Sequence, residues 1–146
     1  MTPTQKTRRT GNDAGTRQGL RTDRPLVIIG SDHAGFATKQ AIIKALAMQG
    51  RTILDVGTFD DKRRVDYPDY ATEVARAVAR DKKGSSMGVL VCGTGTGMCI
   101  AANKIDGIRA ALGYDTYSAQ FAREHNDANI LCLRGRKFPA KEAVRL

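Results

Sequence analysis

The chain has 146 residues, which is typical of one domain whose hydrophobic core is large enough to be stable without disulfides or a structural metal. Apolar residues make up 41% of the chain and aromatic residues 5%, and no apolar run approaches the roughly 20 residues of a membrane span, so we expect no membrane partner. The formal net charge is +9, and residues 1–24 hold six Lys or Arg against two Asp.

That first segment, residues 1–24, is rich in Thr, Gly and Arg and has no hydrophobic periodicity. Such a composition buries too little apolar surface to offset the entropy of ordering, so it predicts a disordered basic tail. The segment has neither the apolar core of a secretory signal nor the apolar face of an amphipathic presequence. We interpret it as a solvated tail and expect no nucleic-acid partner. Residues 25–146 then form the folded domain.

From residue 25 onward, short apolar runs alternate with segments of helical periodicity, which predicts a parallel sheet covered on both faces. The predicted strands and helices, in chain order, are 26–29, 37–48, 52–56, 69–80, 87–91, 98–104, 108–112, 116–124, 129–133 and a final helix over 139–146. In the first helix, Ile42, Ile43 and Leu46 share an apolar face, whereas Lys39 and Lys44 lie elsewhere. The polar connection over residues 57–68 is long, and loops of that length tend to be functional.

This succession predicts an α/β fold, a single doubly wound α/β/α sandwich with a five-stranded parallel sheet in the flavodoxin-like order 2-1-3-4-5. In that order the first and third strands are neighbours, and ligands bind outside the carboxyl ends of the strands at this switch point. Two motifs end there, Ser31-Asp32-His33-Ala34-Gly35 and Cys92-Gly93-Thr94-Gly95-Thr96-Gly97. A carboxylate, an imidazole, a thiol and a run of backbone N–H groups are therefore predicted to share one crevice.

Cys92 is the leading candidate for chemistry, because a thiol between a glycine loop and a helix start is favoured as a thiolate, which acts as a nucleophile or a general base. The alternative is a small buried hydrophobe at a strand end. We assign Cys99 and Cys132 to the core. Three cysteines without a C-x-x-C pair indicate free thiols in a reducing compartment, and we expect a cytoplasmic protein.

The glycine run differs from a dinucleotide-binding fingerprint, because its third glycine comes one residue early and it follows the third strand rather than the first. A response-regulator interpretation fails as well, since it needs an aspartate where Cys92 stands. A small phosphorylated or enolisable ligand is favoured, a tight turn without a ligand stays open, and we expect no cofactor. The two histidines have no partner at metal-binding spacing, so we also expect no metal.

Other candidate residues have structural alternatives. Asp32 and His33 either bind a ligand or cap the first helix. His125, with Asn126, either serves a site or sits against the end of the fourth helix.

The basic cluster after the last strand, formed by Arg134, Arg136 and Lys137, is either a solvated edge or a phosphate-binding site. Tyr67 either lines the crevice or only packs.

Several motifs in order make the chain resemble the type B ribose-5-phosphate isomerases and their relatives, the galactose-6-phosphate isomerase subunits. The resemblance covers residues 26–136 and is carried by both crevice motifs and by Asp55-Val56-Gly57-Thr58, Asp66-Tyr67-Pro68, Ala101-Ala102-Asn103-Lys104, Gly107-Ile108-Arg109-Ala110 and His125-Asn126-Asp127-Ala128-Asn129. It implies isomerisation of a sugar phosphate between aldose and ketose forms through an enediolate, without metal.

The resemblance also implies roles for the residues that match. Cys92 would be the base that moves a proton between C1 and C2, His125 would assist opening of the furanose ring, and Thr94 would relay a proton between the two oxygens. Asp32 and His33 would bind the sugar and its phosphate. The other substrate-binding residues would be Tyr67, Gly93, Gly95, Thr96, Gly97, Asn126 and Arg136. Members of the family are dimers or higher oligomers with shared sites, so we expect a homodimer in which His125 and Asn126 serve the neighbouring pocket.

The chain departs from this family at its end. Family members continue through a full helix and a tail with two further phosphate-binding arginines, whereas this sequence stops at Leu146. We therefore expect a domain that is short at its C-terminus, with one face of the fifth strand exposed.

The alternative function is a sugar-phosphate-binding or structural subunit that is inactive without a partner chain. Ribose 5-phosphate is the first expectation for the substrate, and allose, galactose and erythrulose phosphates stay open.

Overall fold

The computed structural model describes residues 24–146, so all but the last residue of the predicted basic tail lies outside the described part. The strands are β1 (Val27–Ser31), β2 (Ile53–Asp55), β3 (Met87–Cys92), β4 (Ala110–Leu112) and β5 (Ile130–Arg134). The helices are α1 (Phe36–Met48), α2 (Tyr67–Arg80), α3 (Thr96–Ala102), α4 (Thr116–Asn126) and α5 (Ala140–Ala143). Within residues 24–146, no helix has the length and hydropathy needed to cross a bilayer.

The helix boundaries follow from local sequence signals. α2 begins two residues earlier than predicted, because Pro68 occupies the first turn, where its missing N–H costs nothing. α4 begins with a capping box, in which the Asp115 carboxylate accepts from the Ser118 N–H at 2.6 Å and the Ser118 hydroxyl accepts from the Asp115 N–H. It ends at Asp127, whose left-handed φ of 49° turns the chain toward β5.

The α/β class and the five-stranded parallel sheet are confirmed, but the predicted order of the last two strands is wrong. The observed order is β2-β1-β3-β5-β4. The physical reason for this order is the difference in how much apolar side-chain surface each of the two strands must bury. Ile130–Arg134 is longer and more apolar, so it occupies an inner position, whereas the three residues of Ala110–Leu112 are only half-buried and form the edge. As a result, the basic loop after β5 lies beside the glycine loop after β3.

The sheet packs against helices on both faces. Ile28, Leu90 and Ile130 point to the face covered by α2 and α3, while Ile29 and Val91 point to the face covered by α1 and α5. These side chains are almost fully buried. Because neighbouring residues of a strand alternate between faces, this pattern assigns Cys92 and Cys132 to the α2 face of the sheet.

On the other face, an apolar groove of about 300 Å³ lies between α1 and α4. Ile42 and Leu46 of α1 and Ala119 and Ala122 of α4 line it, and Leu131 of β5 is part of its floor. The expected exposure of β5 is therefore limited. Leu131 is half-buried in the groove, whereas Leu133 on the same face is buried.

Candidate active site at the carboxyl edge of the sheet

The end of β1 lies directly beside the end of β3, as the predicted switch point requires. Ser31 pairs with Val91 in parallel register, and the Asp32 N–H donates to the Val91 carbonyl at 3.2 Å. The two predicted motifs therefore leave the sheet side by side, at the edge where strands β1, β3 and β5 end. We call this the carboxyl edge, and the opposite side, where the strands begin, the amino edge.

The Asp32 loop is closed by its own side chain. One carboxylate oxygen of Asp32, which is 7% exposed, accepts from the Gly35 N–H at 2.9 Å. Gly35 approaches β3 so closely that a Cβ atom there would lie 2.2 Å from the Val91 carbonyl oxygen. The capping role that the sequence left open for Asp32 is not observed, because Gly35 is the N-cap residue of α1 and no side chain in the described part of the chain caps this helix. The Asp32 side chain instead closes the turn before the helix, and Gly35 hydrogen-bonds only one of the two Asp32 oxygens.

His33 is half-buried and connects the first loop to the long segment after β2. Its Nδ1 accepts from the Val65 N–H at 3.3 Å. An imidazole that accepts at Nδ1 carries its proton at Nε2 when neutral, so this contact fixes the tautomer as well as the ring. The functional loop expected over residues 57–68 therefore packs back onto the crevice.

Cys92 is the last residue of β3, and its side chain is 4% exposed. The Gly95 N–H donates to its Sγ at 3.1 Å. Gly95 adopts a left-handed φ of 81°, and a Cβ atom there would lie 2.6 Å from Leu112 Cδ1. This conformation, which glycine adopts at low cost, turns the loop so that a backbone amide points at the thiol.

The glycine loop also contains N–H groups without acceptors. In residues 24–146, no acceptor receives the N–H of Thr94, Thr96 or Gly97. The Tyr67 ring covers one side of the loop, since a Cβ atom on Gly97 would lie 2.7 Å from it, and the Tyr67 side chain is 40% exposed. Free amides beside a thiol form a place where a developing oxyanion can be held.

The loop after β5 completes this edge. The Gly135 N–H donates to the Cys92 carbonyl at 2.8 Å, and the Arg136 N–H donates to the Gly93 carbonyl at 3.2 Å. The Arg136 side chain lies against Gly93, 3.7 Å from where its Cβ atom would be. The inner position of β5 therefore brings Arg136 to the thiol loop, which the predicted strand order did not provide.

His125 and Asn126 lie elsewhere. They end α4, directly before β5, and so occupy the amino edge, opposite Cys92. Both side chains are exposed, and the His125 ring meets Phe121 edge-on with ring centroids 4.5 Å apart. A single chain thus brings together every predicted site residue except these two.

The proximity of the other two cysteines was not predicted from the sequence. The neighbouring Cys132 thiol lowers the pKa of Cys99 to about 7, and the same interaction together with burial raises the pKa of Cys132. Cys99 is half-buried and also lies 3.4 Å from the carbonyl oxygen of Ala110, the first residue of β4. It therefore faces away from the crevice. The helical spacing of Cys99 gave no signal for this pairing.

The sequence analysis also misplaced Lys39. Its side chain is fully buried, and its Nζ donates to Asp55 Oδ1 at 2.6 Å and to the Thr58 carbonyl at 2.8 Å. The rings of Phe36 and Phe59 lie within 5.6 and 5.2 Å of the ammonium group. Lys39 thereby ties α1 to the loop after β2, whose Thr58 N–H donates to the Ser31 carbonyl.

No cluster of three or more potential metal ligands is present between residues 24 and 146. The acidic and imidazole groups of the crevice are instead engaged with backbone amides, as Asp32 and His33 are.

Comparison with known proteins gives a consistent result. The family model described as Ribose/Galactose Isomerase matches residues 27–146. Ribose-5-phosphate isomerase B of Escherichia coli is 46% identical over 110 residues, which cover 75% of this chain and 72% of the relative. The Clostridium thermocellum ribose-5-phosphate isomerase B structure has a TM-score of 0.76 at 45% identity, covering 82% of this chain and 79% of that one. The Mycoplasma genitalium enzyme, solved with bound ribulose-5-phosphate, has a TM-score of 0.78 at 38% identity, covering 82% and 78%.

Proposed function

Because the chain belongs to the ribose/galactose isomerase family, we propose that it is an aldose–ketose isomerase that converts ribose 5-phosphate to ribulose 5-phosphate. The observation that carries the proposal is the Cys92 thiol, which receives the Gly95 N–H inside a loop with further free amides. The three free cysteines of the chain also support the proposal that the protein is located in the reducing cytoplasm.

In the proposed reaction, Cys92 is the base. Its thiolate takes the proton from C2 of the open-chain aldose, the electron pair of that bond forms a C1–C2 double bond, and the negative charge moves to the C1 oxygen. The same thiol then returns the proton to C1, while the hydroxyl proton on O2 passes to O1. A base positioned in this way contributes about 10² to 10⁴ in rate.

The enediolate needs donors where its charge develops. The N–H groups of Thr94, Thr96 and Gly97 support this role because no described group accepts them. A fixed donor costs no reorganisation during the reaction, which makes such groups effective. The exposed Thr94 is the residue that we propose to relay the proton between O1 and O2.

The remaining pocket residues bind the substrate in this proposal. Asp32 offers the sugar hydroxyls the oxygen that Gly35 does not use, and His33 offers its Nε2–H. Tyr67 covers one side of the loop, and Arg136 binds the phosphate from beside Gly93.

Ring opening is assigned to His125 and substrate binding to Asn126, and both residues come from a second copy of the chain. The assignment is supported by their exposed position at the amino edge, from which they cannot reach Cys92 of their own chain. A homodimer with two shared sites satisfies this requirement.

The experiment that tests the function is direct. The 146-residue protein, with a chelator and no added metal, is incubated with ribose 5-phosphate, and formation of ribulose 5-phosphate is followed. We expect turnover. A folded protein without turnover would contradict ribose 5-phosphate as the substrate, and the phosphates of allose, galactose and erythrulose are the next ones to assay.

A second candidate function is a sugar-phosphate-binding subunit that is inactive without a different partner chain. The observation in its favour is again the separation of His125 from Cys92 within one chain. This candidate predicts that ribose 5-phosphate raises the melting temperature while no sugar phosphate is turned over.

A further inference from the structure

A cavity lined by three cations opens beside the thiol loop. Its volume is about 460 Å³, within the range of small-molecule sites. Its lining consists of Gly93, Thr94, Leu112, Gly113, Tyr114, Arg134, Arg136 and Lys137. The lining includes no carboxylate, so the positive charges of these three residues are not neutralised within the cavity.

The rest of the described chain does not neutralise these cations either. The ion pairs of residues 24–146 involve Lys39, Arg109, Arg123 and Arg145, and none of them reaches the cavity. Arg134 is the most constrained of the three cavity cations. Its guanidinium carbon lies 4.5 Å above the Phe138 ring, and its Nε is buried without a hydrogen-bond partner. A buried donor without an acceptor is costly, and the terminal nitrogens of the same guanidinium, which make no hydrogen bond in residues 24–146, are the donors that a ligand can reach.

The position of Arg134 connects the cavity to the chemistry. Arg134 pairs with Cys92 across the parallel ladder, and neighbouring strands lie about 5 Å apart. Gly93, the next residue after the thiol, is itself part of the cavity wall. A small molecule bound here therefore lies against both the cations and the thiol loop, which favours a phosphorylated sugar over a larger polyanion.

We propose that Arg134 and Lys137, together with Arg136, bind the phosphate dianion of the substrate. The stacked guanidinium of Arg134 supplies a planar fork that is already oriented, and Lys137 supplies a mobile point charge. The proposal rests on the proposed sugar-phosphate function, which by itself assigns only Arg136 to the phosphate.

The test uses inorganic phosphate as the probe, which needs no turnover. Its dissociation constant is measured by titration calorimetry for the wild type, Arg134→Gln and Lys137→Gln. Arg80→Gln and Lys82→Gln are the matched controls, because these exposed cations lie outside the cavity and remove the same charge. We expect roughly a tenfold weaker affinity in each cavity variant. We expect no more than about a twofold change in either control, since screening by salt limits distant charges.

Turnover gives a second readout. The kcat/KM for ribose 5-phosphate should fall by the factor by which the phosphate dissociation constant rises, and Arg134→Lys should retain part of the affinity. Phosphate affinities equal to that of the wild type in both cavity variants overturn the inference, even if the protein is an active isomerase. Phosphate binding that depends on Arg134 or Lys137, in a protein without turnover, supports the inference and contradicts the isomerase. If Arg134→Gln fails to fold, the exposed Lys137→Gln decides the outcome alone.

Discussion

The two edges of the sheet differ in how much of the proposed chemistry one chain completes. At the carboxyl edge, Asp32, Cys92 and Arg136 are tied to neighbouring loops by hydrogen bonds between 2.8 and 3.2 Å. At the amino edge, His125 and Asn126 are exposed at the end of α4. The carboxyl edge therefore holds the groups proposed for proton transfer and phosphate binding in one chain, whereas the proposed ring opening needs a second chain.

Removing the thiol at the carboxyl edge should have the largest effect. We expect Cys92→Ala to lower kcat for ribose 5-phosphate by about 10² to 10⁴, because it removes the proposed base. The matched control is Cys99→Ala, which removes the thiol whose pKa is about 7 but which faces away from the crevice. Loss of turnover in the Cys99 variant with full turnover in the Cys92 variant would reverse the assignment of the base.

Mixing two inactive variants tests the amino edge. We expect His125→Ala to lower turnover strongly on its own. If Cys92 and His125 act in one site across two chains, an equal mixture of Cys92→Ala and His125→Ala should regain roughly a quarter of wild-type turnover, because half of the dimers then carry one intact site. Mass spectrometry verifies that subunits have exchanged in the mixture. If turnover does not recover after that exchange, the site is not shared.

Two lysines of α1 carry the same charge but differ in burial. Lys39 is buried against Asp55 and Thr58 and supports the carboxyl edge, whereas Lys44 is exposed. We expect Lys39→Met to lower the free energy of unfolding by about 3 kcal/mol, since it leaves Asp55 without its partner. Lys44→Met should change it by less than about 0.5 kcal/mol. Urea unfolding measures both, and equal effects would show that the buried ion pair does not stabilise this edge.

Two glycines with similar φ angles, one at each edge of the sheet, differ in how closely other atoms surround them. Gly95 at the carboxyl edge and Gly50 at the end of α1 have φ values of 81° and 68°, but only Gly95 is surrounded by atoms within 4 Å. We expect Gly95→Ala to cost about 2 kcal/mol more than Gly50→Ala, because the added methyl group would meet Leu112 and Leu133. Thermal and urea unfolding of the two variants check this difference, and equal costs would contradict the tight packing of the loop.

The smallest effect concerns pH at the loop before β3. Hydrogen bonds from Ser86 and Ser85 lower the pKa of Asp81 from 3.8 to about 2. Because the folded protein favours the charged form, the stabilisation is present above about pH 4 and is lost as the pH falls toward 2. The difference in the free energy of unfolding between the wild type and Asp81→Asn should therefore shrink over that interval. A difference that stays constant from pH 5 to pH 2 would contradict the lowered pKa.

Strand and helix positions could be predicted because they depend on local periodicity, whereas the strand order depends on pairing between distant segments. The larger apolar side chains of β5, compared with the alanines of β4, were a signal for the inner position of β5, but the common fold order was preferred. The switch point between β1 and β3 did not depend on that choice, so the adjacency of the loops that carry Asp32 and Cys92 was predicted correctly.

Side-chain environments were harder to predict. Lys39 looks like part of a polar helix face in the sequence, and its burial depends on Asp55 and Thr58, which come 16 and 19 residues later. The contact between Cys99 and Cys132 joins a helix to a strand and leaves no trace in sequence spacing. The roles proposed for His125 and Asn126 need a second chain, which the periodicity of one chain cannot describe.

The inner position of β5 also sets the order of events during synthesis. β4 emerges from the ribosome before β5, with which it pairs, and β3 emerges with one edge still open. At about 5–20 residues per second, the nascent chain carries two unpaired strand edges for a second or more before β5 inserts between them. The thiol loop gains its basic neighbours only at that insertion, so the last strand to be made completes a part of the site that was made earlier.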